Sequence, residues 1–119
     1  MRLNQTDAII LLAFACNLMA VDTPKLSFKP LSEEDSNVAG KYYPDQHTLF
    51  INLAYGDRAL QIFTLFHEAR HHYQYVVVEN NDTQLETEET IRKWRHDIQH
   101  YVPSAVDRDK HDRLSIEVD

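Results

Sequence analysis

Asp57-Arg58-Ala59-Leu60-Gln61-Ile62-Phe63-Thr64-Leu65-Phe66-His67-Glu68-Ala69-Arg70-His71-His72-Tyr73 runs from a helix start into the pattern His-Glu-x-x-His. Asp57 follows Gly56 and is a good N-cap, because its short carboxylate can accept from the unpaired N–H groups of a first turn. From Arg58 to Glu79 no Gly or Pro interrupts the chain. Leu60, Phe63, Phe66, Ala69 and Tyr73 recur at helical spacing, and Ile62 and Leu65 widen the stripe. The stretch predicts a long helix, apolar on much of its circumference and central to a small domain.

His67 and His71 are four apart, so on a helix their side chains lie one above the other. Two imidazoles so placed can hold one metal ion, usually Zn²⁺, and Glu68 beside the first of them is the expected general base. With seven His in 119 residues, composition alone produces this pattern by chance about 3% of the time. The competing reading is a buried helix that carries the motif by accident. A third ligand must come from elsewhere, since the extension H-E-x-x-H-x-x-G-x-x-H fails at Gln74 and Val77.

A second helix offers one. Thr83-Gln84-Leu85-Glu86 reads as a capping box, with Thr83 as N-cap and Glu86 at the third position. Leu85, Ile91, Trp94, Ile98, Tyr101 and Val102 supply its apolar pattern, and Pro103 ends it. At about 100° per residue Glu88 falls on the border of the apolar stripe, whereas Glu86, Glu89, His96 and His100 point largely to solvent. His67, His71 and Glu88 with water in the fourth position make the His₂Glu set of catalytic zinc. Glu86 and Glu89 are the alternatives to Glu88, and their charge also suits a helix N-terminus. His72, Tyr73, Arg95 and Tyr101 are all candidates to stabilise an oxyanion, and the sequence does not choose among them. His72 points to a different face from His71 and reads as a surface residue or a support for the ligands.

The run Phe66-His67-Glu68-Ala69-Arg70-His71-His72-Tyr73-Gln74 resembles the core of small zinc metallopeptidases of Gram-positive bacteria and their phages. Those often read H-E-x-R-H-x-x-Q, which Arg70 and Gln74 match, and they are similar to minimal gluzincins related to the ImmA/IrrE peptidases. In that wider group a downstream helix carries E-x-x-A-x-x-F, whose Glu is the third ligand. Here Glu88-x-x-Ile91-x-x-Trp94 takes that register, with Ile for Ala and Trp for Phe. The resemblance extends to Lys41–Leu53, where such proteins have a hairpin leading to an edge strand. It implies a zincin-like fold and zinc peptidase chemistry, without naming a substrate.

The rest of the chain fits one small domain over residues 1–119, with a polar tail over 103–119. The apolar run Ala8–Ala15 invites a signal-peptide or lipoprotein reading with Cys16 at the cleavage site. Arg2 is the only basic residue before it, Asp7 interrupts the approach, and the run is too short to span a membrane. A buried first helix with Thr6 or Asp7 as N-cap is the favoured reading. One Cys builds no disulfide framework, which suits a reducing cytoplasm. Tyr42-Tyr43 and Leu49-Phe50-Ile51-Asn52 read as strands around a Pro44–His47 turn, and a further short strand is expected at Leu26–Phe28. If the second of the pair lies at a sheet edge, Leu49, Phe50, Ile51 and Asn52 could bind an extended peptide substrate; otherwise it is an ordinary core strand.

The net charge of −7 and a pI of about 5.4 oppose direct nucleic-acid binding, because the basic clusters Arg92-Lys93-Arg95 and Arg108-Lys110-Arg113 are interleaved with acids. A basic protein is the partner that such a surface favours, and no membrane partner is expected. The expected fold class is α+β: an N-terminal helix, a small antiparallel sheet, the motif helix and a C-terminal helix bearing Glu88. Two functional classes compete: a zinc metallopeptidase, and a catalytically silent binding protein or inhibitor of a host factor, of phage or mobile-element origin. Glu68 separates them, since a pure binder has no use for a general base beside its metal.

Overall fold

The structure, a computed structural model, describes residues 2–99. The sequence expectations for His100, Tyr101, Val102, Pro103 and the 103–119 tail lie outside these residues. The chain is α+β: α1 (Gln5–Leu18), β1 (Lys25–Ser27), β2 (Gly40–Tyr43), β3 (Thr48–Ile51), α2 (Arg58–Asn80) and α3 (Glu88–Gln99), with short 3-10 turns at Glu33–Asp35 and Pro44–Gln46. It divides into two compact units, and the boundary falls inside α2 between Tyr73 and Gln74. No described helix is long and apolar enough to cross a membrane.

In the first unit the three strands take the order β1-β3-β2. β2 and β3 pair antiparallel through the Pro44–His47 turn, with Tyr42 opposite Leu49. β1 pairs parallel to β3, with Leu26 opposite Leu49. The sheet is therefore mixed, not antiparallel as the sequence suggested, because the chain crosses over residues 28–39 from β1 to the other side of β3 before β2 begins. β3 is central and Thr48, Leu49, Phe50 and Ile51 are all buried. A strand covered on both faces reads as a continuous apolar run, which is what Leu49-Phe50-Ile51 provides. β1 and β2 flank it on its two sides, so it is the central strand and not the edge strand considered for Leu49–Asn52. Asn52 is occupied structurally: its amide donates to the carbonyls of Ser36 (3.2 Å) and Val38 (3.1 Å), and its Oδ1 accepts from Ala54 N–H.

α1 starts one cap earlier than expected. Asn4, not Thr6 or Asp7, is the N-cap, with its Oδ1 accepting from Asp7 N–H at 2.8 Å. Ala8, Leu12, Ala15 and Cys16 are buried, while Ile10, Phe14 and Leu18 stay exposed. The expected burial of this helix thus holds for one face only. The helix ends in a Schellman turn: Val21 N–H reaches Cys16 C=O (3.1 Å) and Ala20 N–H reaches Asn17 C=O (3.2 Å). That turn needs a left-handed residue after the helix, and Ala20 supplies it at φ 59°. For an L-residue with a Cβ this conformation is unfavourable, and glycine is the usual occupant.

In the second unit α2 ends in the same way, with Asn81 left-handed at φ 47° and Asp82 N–H bonded to Val77 C=O at 3.0 Å. Asn tolerates that conformation better than Ala. Asp82 then caps a turn of its own: its carbonyl accepts from Leu85 and Glu86 N–H, and its Oδ1 from Gln84 N–H. The expected capping box at Thr83 is therefore absent, because Asp82 has already claimed those donors. The N-cap of α3 is Thr87, whose Oγ1 accepts from Thr90 N–H at 3.2 Å. Ile91, Trp94 and Asp97 are buried on α3, and Arg95 donates to Val78 C=O (3.2 Å) and Asn81 Oδ1 (3.3 Å).

Ala20→Gly is expected to raise stability by about 1 kcal/mol, since it relieves the left-handed strain at an exposed site; a chemical-denaturation midpoint that fails to rise refutes the strain. Burial pushes the Cys16 thiol up to about 11 from an ordinary 9.0. A raised acid pKa means the folded state holds its proton more tightly, so this stabilisation is present below pH 9 and fades as pH climbs from 9 to 11. Cys16 should accordingly resist a disulfide reagent at pH 8 in the folded protein and react fully in denaturant.

Candidate metal centre

α2 begins where Asp57 predicts: its Oδ1 accepts from Leu60 N–H at 2.9 Å. Its apolar stripe turns inward at Leu65, Ala69 and Tyr73 but not in the first turns. Leu60 is 37%, Phe63 67% and Phe66 38% exposed, whereas Gln61 is 2% and Thr64 7% exposed. Gln61 explains the rotation. Its Oε1 accepts from Leu3 N–H (2.8 Å), and its amide donates to the carbonyls of Leu53 (3.1 Å), Tyr55 (3.3 Å) and Gly56 (3.2 Å). These are main-chain groups of the segment ahead of α1 and of the loop into α2, and a buried polar group left unbonded costs about 1–3 kcal/mol. Thr64 faces inward for a steric reason. β2 passes so close that a Cβ on Gly40 would lie 2.7 Å from Thr64 Cγ2.

This rotation sets the positions of the motif. His67 and Glu68 are half-buried and His71 is buried at 9% exposure. The rings of His67 and His71 stand 4.7 Å apart, centre to centre, at 84° to one another. With a ligand distance of about 2.1 Å, each ring centre lies roughly 3.2 Å from a shared ion, and a tetrahedral angle then separates the centres by about 5.2 Å. The observed spacing falls within about half an ångström of that value. Phe63, one turn before His67, lies nearly parallel to its ring, with centres 6.0 Å apart and a 19° tilt. Arg70 on the same helix lies over the Tyr73 ring at 5.2 Å.

His72 is a support and not a surface group. It is 3% exposed, its Nε2 is 2.8 Å from the Asp22 carbonyl and its Nδ1 is 2.9 Å from the Tyr42 hydroxyl. A carbonyl only accepts, so Nε2 carries the proton, and in the neutral ring Nδ1 accepts from Tyr42. The residue after the second motif histidine thus ties α2 to β2 and to the segment entering β1. No sequence signal distinguished it, because Tyr42 and Asp22 are far away in the chain.

Glu88 is the first residue of α3 and is exposed, about 120° from the centre of the Ile91–Trp94–Asp97 face. Of its alternatives, Glu86 is half-buried, and Glu89 is exposed and paired with Lys93 at 3.6 Å. Among the described residues no three His, Cys, Asp or Glu side chains gather as a metal-holding group. Of the oxyanion candidates, Tyr73 is buried, and Arg95 is committed to Val78 and Asn81. Tyr101 lies outside the described residues. Comparison with protein-family models, curated proteins and solved structures finds no match for the chain.

Tyr42→Phe removes a hydrogen bond to a buried imidazole and is expected to cost about 1–2 kcal/mol of stability. Equilibrium unfolding in urea measures this, and a cost near zero would mean that the Tyr42–His72 bond does not hold α2 to the sheet.

Proposed function

We propose that this chain is a zinc-dependent metallopeptidase of minimal zincin-like design. The observation that carries the reading is the His67–His71 pair, with its rings at ligand spacing on one face of an unbroken helix and Glu68 between them. When bound, zinc supplies Lewis acidity, polarising a peptide carbonyl and making water a usable nucleophile near neutral pH. His67 and His71 hold the ion, with the Phe63 ring beside His67. Glu68 takes the proton of the attacking water and passes it to the leaving amine, the role of a positioned general base and then acid. His72 fixes α2 through Tyr42 and the Asp22 carbonyl.

The substrate on this reading is a peptide or protein, and the acidic chain favours a basic one. A lone Cys fits a cytoplasmic protein. The register of the resemblance would make Glu88 the third ligand, and comparing the zinc affinities of Glu88→Ala and Glu86→Ala tests whether either carboxylate contributes.

Elemental mass spectrometry on protein purified without chelator should find about one zinc per chain, lost in His67→Ala. Glu68→Gln should keep the zinc and lower peptide hydrolysis by at least about 10²-fold. Cleavage that survives in Glu68→Gln would falsify the mechanism. Zinc retained with no hydrolysis by the wild-type protein would leave a metal-holding binding protein.

A further inference from the structure

Beyond its first turn α1 is apolar nearly all round, and from Ala8 to Val21 the chain carries no charged residue. A helix of that kind is normally covered on every side. Yet only Ala8, Leu12, Ala15 and Cys16 are buried on it, while Ile9, Ile10, Phe14 and Leu18 are 54%, 59%, 55% and 70% exposed. At about 100° per residue Ile10, Phe14 and Leu18 form one ridge, centred roughly opposite the buried face. The described residues expose ten large apolar side chains, about 1,000 Å² in all at roughly 200 Å² for each whole residue. Nearly half of this, about 500 Å², belongs to α1. Leu60, Phe63 and Phe66 on α2 hold about 300 Å², which is ordinary for a monomer. Leu31, Val38 and Tyr55 lie singly in loops.

We propose that the Ile10–Phe14–Leu18 face of α1 is the interface of a twofold homodimer of this chain. A stable interface takes roughly 800 Å² from each copy and in homodimers is about 65% apolar, which is about 500 Å² of apolar surface. α1 exposes that amount, and Thr6, Ala13 and Asn17, exposed between Ile9 and Ile10 around the helix, add to it. Residues four apart make the ridge that interdigitates with a like ridge at a crossing of about −50°. A second copy brings that same ridge, so the face is complementary to itself. In the antiparallel pairing Phe14 meets Phe14 at the twofold axis, and Ile10 of one chain packs against Leu18 of the other. Asp7 is the only charge on α1, and this pairing sends the two Asp7 carboxylates to opposite ends. A lipid surface suits the face less, because a helix lying in a membrane interface carries Lys or Arg along its polar side, and α1 has neither.

Sedimentation velocity on the full chain at about 50 µM, enough to populate a dimer of micromolar Kd, should give twice the 14.0 kDa of one chain. Phe14→Glu and Leu18→Lys should each weaken the dimer at least about thirtyfold, whereas Phe14→Leu should keep it. Circular dichroism checks that each variant is folded. Crosslinking provides a second readout that needs no weakened dimer. Under mild oxidation Phe14→Cys should run as a covalent dimer, since the two positions meet at the axis. Phe63→Cys, at a similarly open position on α2, and the wild type with its buried Cys16 should stay single chains. A wild-type chain that stays monomeric overturns the dimer, and its co-flotation with phosphatidylcholine–phosphatidylserine vesicles would then assign the α1 face to lipid. A dimer that survives both charged substitutions in folded protein, or that crosslinks through Phe63→Cys and not through Phe14→Cys, overturns the α1 interface.

Discussion

The side chain of Gln61 is the constraint on which the first unit depends. Four main-chain groups, from Leu3 and from the Leu53–Gly56 loop, find their partners on it. It is almost fully buried, so those bonds have no water to replace them, and losing any of them leaves a buried polar group unpaired. A helix can turn only one way at a time. Once Gln61 faces inward, Thr64, Leu65 and Ala69 follow it and Phe63 must face out. The same rotation brings His72 against Tyr42 and Asp22 and places His67 and His71 on the flank. The geometry of the candidate centre is thus a consequence of where an amide side chain found its hydrogen bonds.

The sheet contributes in a second way. Gly40 lets β2 approach α2 to the point where Thr64 is in contact, and any Cβ at that position would collide with it and with the Phe50 carbonyl. Close approach in turn lets the Tyr42 hydroxyl reach His72. Nearby, the buried carboxylate of Asp35 accepts from Lys41 (3.2 Å) and from the Tyr43 hydroxyl (3.0 Å), which fixes the connector to the outer part of β2. Burial, joined by the bond to Asp35 and its charge, raises the Tyr43 pKa, so this phenol keeps its proton. Small and polar residues, more than large apolar ones, decide how the helix meets the strands.

Much of the fold was legible in the sequence. The Asp57 cap, the long α2, the Pro44–His47 turn and the strands on either side of it are all local signals, written by residues within a few positions of one another. Misreadings arose where two local signals competed or where a partner was distant. Thr83-x-x-Glu86 is a sound capping box, yet Asp82 sits one residue earlier and binds the same N–H groups. The apolar periodicity of Leu60, Phe63, Phe66, Ala69 and Tyr73 is real, yet only Ala69 and Tyr73 are buried, because hydrophobic spacing carries no information about the hydrogen bonds that Gln61 satisfies.

By itself the sequence determined the chemistry on offer: two imidazoles and a carboxylate at fixed helical spacing, in an acidic α+β chain. Spacing along a helix is set by backbone geometry, so that juxtaposition needed no tertiary contact. What only the tertiary structure decided was orientation and company. β3 became the central strand and lost its edge, since strand order depends on which chain segments return to it. Phe63 became an open ring beside His67, and His72 a buried anchor, since those outcomes depend on residues thirty to fifty positions away meeting α2 in space.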